Sequence, residues 1–400
     1  MLRFPIYGRG QTLPFTTFRT ALPWTLFVMF MFLLNYGART LLSPLLVAIE
    51  SDLGISHDQS TSLLLLQATG FSLSLFASGF LLSRVRPRTL VAVSSLLAGT
   101  ALLAMTGIET FTGARMLLFA FGMAAGLYFT AGISTLESLV RPADWGKAVA
   151  IHELAPNGSF ILVPLIAEAA LRITDWQGTL VGTGAALIAG GVLFLLFGRG
   201  GTGLAAPPSF RGMRQAVSPL TFVFTLFFVI GVAGEFATYS VLPLHMVNEL
   251  GYTPEAASRL LSLSRLGTPL SALCGGWVAD TLGARRTIKW YLVLHGLALM
   301  LMGVPHQAAA VTGMVAQGMF TAFVFPAIFK MFAASFAPER QPLILSVTMP
   351  FSSILGTGII PWLLGLCGQY LTFAWGFVML GALSLVSVLG LRVVPRDRCP

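Results

Sequence analysis

The chain has 400 residues, of which 56% are hydrophobic and 10% charged, with a formal net charge of +9. Soluble domains carry about 25% charged residues, so this composition excludes a soluble enzyme or binding module and points to a membrane protein. The basic balance does not point to nucleic acid, because the lysines and arginines sit in short gaps between apolar runs rather than on one face of a folded module.

Taken in chain order, the apolar runs are long enough to cross a hydrocarbon core of about 30 Å, which takes roughly 20 helical residues. The first six helices are predicted at Leu22 to Ile49, Ser60 to Ser83, Thr89 to Ile108, Gly113 to Leu139, Ala148 to Leu171 and Thr179 to Phe197. After a polar break, six more are predicted at Ser218 to Val247, Ala257 to Thr281, Thr287 to Gly303, Ala308 to Phe336, Leu343 to Gly368 and Phe373 to Val394. The start resembles a signal peptide in carrying Arg3, Arg9 and Arg19, but the run from Leu22 exceeds an h-region of about 7–15 residues. It reads as a tail followed by a first membrane helix.

The expected organisation is a cytoplasmic tail (1–21), a six-helix bundle (22–197), a cytoplasmic linker (198–217), a second six-helix bundle (218–394) and a short cytoplasmic tail (395–400). Loop charge supports this orientation. Arg84, Arg86, Arg88, Arg141, Lys147, Arg199, Arg285, Arg286, Lys289 and Arg340 fall on the side of the termini. The opposite loops hold Arg172 and Arg259 among acids such as Glu50, Asp52, Asp58, Glu249 and Glu255. Basic residues of short loops stay inside, so both termini are expected in the cytoplasm and the protein in the plasma (inner) membrane.

The two halves repeat. Gly54 and Gly251, Gly79 and Gly276, and Pro164 and Pro361 each recur at the same offset and at the same place in the helix series. Tandem repeats of this kind build central sites in transporters.

Several motif matches carry nothing. Gly198, Gly200 and Gly203 spell a dinucleotide fingerprint without the strand and helix it needs, and His152-Glu153 begins a zinc motif whose second histidine is replaced by Pro156. Asn157-Gly-Ser159 fits the glycosylation pattern but falls inside a helix. Cys274, Cys367 and Cys399 share no ligand spacing and read as free thiols. No metal, cofactor or nucleotide site is expected.

The turn between the eighth and ninth predicted helices, "GGWVADTLGARRTIKW", places Gly276, Asp280, Gly283, Arg285 and Arg286 in the G-x-x-x-D-(R/K)-x-G-x-(R/K)-(R/K) pattern. Thr281 departs from it. A degraded copy, "SGFLLSRVRPRTL", keeps Gly79, Arg84 and Arg88 at the equivalent turn of the first half. In physical terms Gly276 would let helices pack closely, Asp280 would accept hydrogen bonds or meet an arginine, Gly283 would make the tight turn, and the arginines would reach headgroups or a carboxylate. The alternative is a basic turn that only fixes topology.

With this motif, the helix count and the linker, the chain resembles the major facilitator superfamily over nearly its whole length. The resemblance implies an all-α membrane protein of twelve transmembrane helices in two pseudo-symmetric six-helix bundles around a cavity, working by alternating access. It also implies that the motif residues act in gating.

Ionisable residues deep in a membrane cost about 2.5–3.5 kcal/mol each on insertion scales and mark candidate sites. Arg39 and Glu235 lie deepest, in the first and seventh helices. Arg39 stands in "NYGARTLLSPLLVAIESDLGIS", which resembles the first helix of the organic-anion branch of the superfamily through Asn35, Tyr36, Arg39, Asp52, Leu53, Gly54 and Ser56, with Ala38 in place of an aspartate. A guanidinium there suits a carboxylate or phosphate; otherwise it pairs structurally with Glu235 or helix carbonyls. Asn35, Gln67 and Arg265 are further substrate candidates, against interhelical bonding for the first two and snorkelling for Arg265. Glu235, His152 and Glu153 are the candidates for proton coupling, His152 because imidazole titrates near neutral pH.

The expected function is therefore secondary transport of a small solute, an organic anion, coupled to protons or a counter-solute, by a monomer in the bilayer that binds no nucleic acid and is not an enzyme. The alternatives are a multidrug or sugar exporter of the same type, or a receptor or enzyme on a transporter scaffold.

Overall fold

The computed structural model describes residues 17–108, 110–204, 218–338 and 340–395. Most of both tails, most of the linker and Cys399 therefore lie outside the described residues, and the first helix begins at Phe18, within the expected N-terminal tail. Within the described residues the chain is helical throughout, with no strand. Among the described residues, ten helices are long and apolar enough to cross a membrane: Phe18–Leu53, His57–Leu81, Pro87–Gly107, Phe111–Leu139, Pro142–Leu171, Trp176–Phe197, Pro219–Asn248, Gln307–Ser335, Gln341–Tyr370 and Phe373–Arg392. They are the first to seventh and tenth to twelfth spans. The eighth is divided between Pro254–Ser264 and Thr268–Thr281, and the ninth, Ala284–Met302, carries Arg285, Arg286 and Lys289 near its start.

Local chemistry explains where spans break. A proline ring clashes with the carbonyl four residues earlier and removes a donor. The fifth span breaks at Glu153, the eighth at Arg265–Gly267 and the tenth at Ala322–Phe323. Pro156, Pro269 and Pro326 stand within four residues beyond those breaks. In the seventh span Ala233–Ala237 forms a π-helical turn, and in the eleventh Leu355–Ile359 forms another, just before Pro361. Such turns recur at functional sites.

By contact, the described residues fall into two compact units, one made of 17–45 and 66–204, the other of 46–65 and 218–395. Each has its own core. In the first, Val28, Met31, Phe32, Tyr128, Leu136 and Phe194 pack together; in the second, Phe224, Phe228, Ile288, Tyr291, Ile328 and Phe332 do so. Large apolar side chains such as Leu196, Phe222 and Leu270 remain exposed, as a lipid-facing surface requires.

The repeat is visible in the packing. A Cβ added to Gly99 would stand 2.5 Å from Gly184 O, and one added to Gly296 would stand 2.8 Å from Gly381 O, so the third and sixth spans touch through glycine just as the ninth and twelfth do. Arg88 donates from Nη2 to Leu195 O at 2.8 Å, closing the end of the sixth span. Arg285 donates from Nη1 to Val394 O at 3.0 Å and from Nη2 to Leu391 O at 2.5 Å, closing the twelfth. Gly54 and Gly251, at φ 60° and 70°, make the corresponding turns after the first and seventh spans.

Candidate functional site

The first unit builds a site around Arg39. Glycines bring the second and fourth spans together: a Cβ on Gly126 would stand 2.5 Å from Phe71 O, and one on Gly122 would run into Gln67 O. This approach sets Gln67 and Phe71 beside the first span. The guanidinium carbon of Arg39 lies 3.7 Å from the centroid of the Phe71 ring and 5.5 Å from that of Tyr36. Gln67 Nε2 donates to Arg39 O at 3.3 Å, and Gln67 Oε1 is a buried acceptor with no hydrogen-bond partner among the described residues. Arg39 itself is buried. Aromatic faces hold a guanidinium by cation–π attraction and leave its N–H edge as the hydrogen-bonding side, the geometry that suits a carboxylate.

Asn35, one turn earlier, belongs to a different contact. Its Nδ2 donates to Ala125 O at 3.3 Å and to Ser94 Oγ at 3.5 Å, joining the first, third and fourth spans. His152 is fully buried, stacked on Phe32 at 4.3 Å between centroids, with Tyr128 Oη 3.4 Å from its Nε2. That hydroxyl donates to Val28 O at 2.7 Å. Glu153 is half exposed, 3.8 Å from His152 Nδ1.

The second unit holds a buried polar network. Glu235 lies on the π-helical turn of the seventh span. Next to it Gly234 O accepts from Gln317 Nε2 of the tenth span, and Gln317 Nε2 is 3.4 Å from His295 Nε2 of the ninth. The His295 ring stacks on Tyr291 at 4.9 Å. Arg265, at the break of the eighth span, is fully buried, so it does not snorkel; its Nη1 donates to Thr321 Oγ1 at 3.3 Å and its guanidinium lies 5.7 Å from the Tyr239 centroid. Sequence reasoning missed His295, Gln317 and Tyr291. The signal was present, since His and Gln inside apolar runs cost insertion energy as Arg39 and Glu235 do.

The turn after the eighth span departs from expectation in two places. Nothing stands within 4 Å of a Cβ built on Gly276; the close approach belongs to Gly275, whose Cβ would lie 2.5 Å from Phe323 O. Asp280 accepts a hydrogen bond as expected, from Lys330 Nζ at 2.6 Å, which also donates to Ala279 O at 3.1 Å, whereas Arg285 reaches the carbonyls of Val394 and Leu391 rather than a headgroup or a carboxylate. Gly283 adopts φ 84°, the left-handed turn expected of it. Arg286 and Arg84 are exposed and Gly79 is partly exposed.

The Asp280–Lys330 pair is exposed, 74% and 47% for the two side chains, and an exposed pair is worth about 0–1 kcal/mol. Asp280→Asn is therefore expected to lower thermal stability little; if the pair acts in gating, the variant slows transport far more than it unfolds, because a contact made in one conformational state shifts the balance between states. A transport loss that only tracks loss of folded protein would reduce the pair to a structural one.

Comparison with known proteins agrees with this architecture. The family model described as Major Facilitator Superfamily matches residues 28–234 and 224–398. The uncharacterized MFS-type transporter YceJ of Bacillus subtilis (strain 168) is 24% identical over 336 residues, 80% of this chain and 83% of that one. The puromycin resistance protein pur8 of Streptomyces alboniger is 32% identical over 130 residues, 32% of this chain and 25% of that one. Among solved structures, a bacterial homolog of the human lysosomal transporter Spinster, inward-facing and occupied, superposes with a TM-score of 0.78 at 13% identity over 95% of this chain and 97% of that one. A D-xylose–proton symporter superposes with a TM-score of 0.74 at 12% identity over 95% and 98%. With the family model spanning nearly every span and the glycine contacts repeated in both halves, the chain belongs to the major facilitator superfamily.

Proposed function

We propose that this membrane transporter carries a small organic anion by alternating access between two six-helix halves, 22–197 and 218–394, coupled to protons or a counter-solute. The observation that carries the reading is the buried guanidinium of Arg39 held on the Phe71 and Tyr36 rings in the middle of the first span. A cation held there is costly in lipid unless it serves an anion or an internal partner. Gln67 adds a hydrogen-bonding group beside it, and Arg265 offers a second cation in the other half. Glu235, on the π-helical turn, is the group assigned to proton coupling, with His152 and Glu153 as lesser candidates. The motif residues Gly276, Asp280, Gly283, Arg285 and Arg286, with Gly79, Arg84 and Arg88, are assigned to gating. The protein acts as a monomer in the plasma membrane, with both termini cytoplasmic, and performs no covalent chemistry.

Drug efflux is the second reading, favoured by the similarity to the puromycin resistance protein. A thermal-shift screen of small organic anions, sugars and cationic drugs on the purified protein separates the two. A ligand at 100 times its Kd raises stability by about 2.7 kcal/mol. Stabilisation by carboxylates supports the anion reading; stabilisation confined to cationic drugs replaces it with efflux.

A further inference from the structure

Beside the turns at Gly54 and Gly251, on the side that loop charge places outside, two histidine–glutamate pairs flank one phenylalanine. His57, at the start of the second span, approaches Glu50 of the first at 2.9 Å through Nδ1, and Ser60 Oγ donates to the other oxygen of Glu50. His245, near the end of the seventh span, approaches Glu249 at 2.9 Å through Nδ1. The His57 ring lies 5.1 Å from Phe373 and the His245 ring 6.4 Å from it, between centroids.

The pairs are local, His57–Glu50 between the first two spans and His245–Glu249 at the end of the seventh, but the residues in them also reach helices far apart in the chain. His57 N donates to Gln369 Oε1 at 3.1 Å, and a Cβ on Gly365 would stand 2.8 Å from His57 O, so the second span rests on the eleventh. Glu249 accepts from Phe373 N at 2.5 Å and from Ala374 N at 3.2 Å, capping the twelfth span. Residues 46–65 accordingly cluster with the second half of the chain. In alternating access, opening toward this side must part the first two spans from the last two.

Charge makes the joint sensitive to protons. Glu50 from the first span, Asp58 from the second and Glu249 from the seventh face His57; the eleventh offers neutral Gln369 and the twelfth Phe373. His245 faces Glu249 and the rings of Phe373 and Phe377, and its other side lines an apolar pocket with Leu242, Met302, Ala310 and Met314. Burial alone pushes the Glu249 carboxyl up, but the hydrogen bonds from His245 and the amides of Phe373 and Ala374 outweigh it and hold the group below the usual carboxylate range. Three carboxylates thus face two imidazoles. With neutral imidazoles the acids repel one another; each imidazolium adds attraction.

We propose that His57–Glu50 and His245–Glu249, set about Phe373, form a proton-operated clasp that fastens the ends of the first two spans to the eleventh and twelfth more firmly as the external pH falls. The clasp rests on the alternating-access reading of the chain. It requires neither an anionic substrate nor proton-driven transport.

Its test is the distance between spin labels on Ser51→Cys and Tyr370→Cys, both exposed positions, in full-length protein whose Cys274, Cys367 and Cys399 are replaced by serine. Distances are measured in lipid nanodiscs at about pH 8 and about pH 5.5, on either side of the ordinary imidazole value of roughly 6.5. The separated population is expected to be several-fold larger at the higher pH. That response should vanish in His57→Gln/His245→Gln and persist in His306→Gln, an exposed histidine of another loop. A wild-type protein that populates both distances in the same proportion at both pH values overturns the clasp and leaves alternating access standing. So does a pH response that survives in the double variant. One unchanged distance in the wild type and in Glu50→Gln/Glu249→Gln overturns both.

Discussion

Replacing Arg39 by alanine is expected to weaken binding of a small organic anion by about 10- to 150-fold, since a hydrogen bond to a charged group is worth about 1.5–3 kcal/mol and each 1.4 kcal/mol is about tenfold. The guanidinium carbon lies 3.7 Å from the centroid of the Phe71 ring. Arg39→Lys keeps the charge but loses both the fork and the stacking plane, and it should recover only part of the affinity, with isothermal titration as the readout. Glu235→Gln is expected to leave the affinity largely intact while removing its dependence on pH. Binding unchanged in Arg39→Ala would make the arginine a structural residue and move the substrate toward neutral or cationic compounds.

Enlarging Gly296 is expected to have the largest effect on stability. Its would-be Cβ faces Gly381 O at 2.8 Å and Leu385 Cγ at 3.0 Å, and backbone cannot swing aside as a flexible side chain can. Gly296→Leu should cost at least the roughly 1–3 kcal/mol of an overpacked core, lowering Tm. Gly99→Leu should do the same in the other half, where the contact is Gly184 O at 2.5 Å. Gly276→Ala is the control: its site is open and it lies within a helix, where replacing glycine by alanine stabilises by about 0.5–1 kcal/mol. A fall in Tm with Gly276→Ala, or none with Gly296→Leu, would contradict the packing described.

Much of the fold was legible because membrane insertion writes itself into composition. Twelve apolar runs with gaps rich in arginine predict the span series, and the offset linking Gly54 to Gly251 predicts the repeat that the paired turns, glycine contacts and arginine caps then display. What apolar runs do not encode is where a span bends. The eighth was expected as one continuous helix, yet it breaks at Arg265–Gly267, a break that Pro269 could have announced. The π-helical turn around Glu235 has no comparable signal; the hydrogen bond that Gly234 O accepts there comes from Gln317, far along the chain.

The turn after the eighth span was legible in part. Gly283 needed its left-handed φ and its neighbours in sequence were enough to say so. The partner of Asp280 was not, since Lys330 comes from another span and the nearer arginines are a plausible choice by sequence alone; Arg285 is instead spent on the carbonyls of Leu391 and Val394. Which of two adjacent glycines faces a neighbouring helix is likewise a matter of helix rotation, and it fell to Gly275.

Whether an anion passes through the site at Arg39 is decided by counterflow in proteoliposomes. Vesicles are loaded with the unlabelled carboxylate that most stabilises the protein, and entry of the same compound in labelled form is followed. Transient accumulation is expected of the wild type, with a loss of at least about tenfold in its initial rate in Arg39→Ala, matching the loss of a charged hydrogen bond. Equal accumulation by Arg39→Ala, at equal amounts of folded protein, would contradict it.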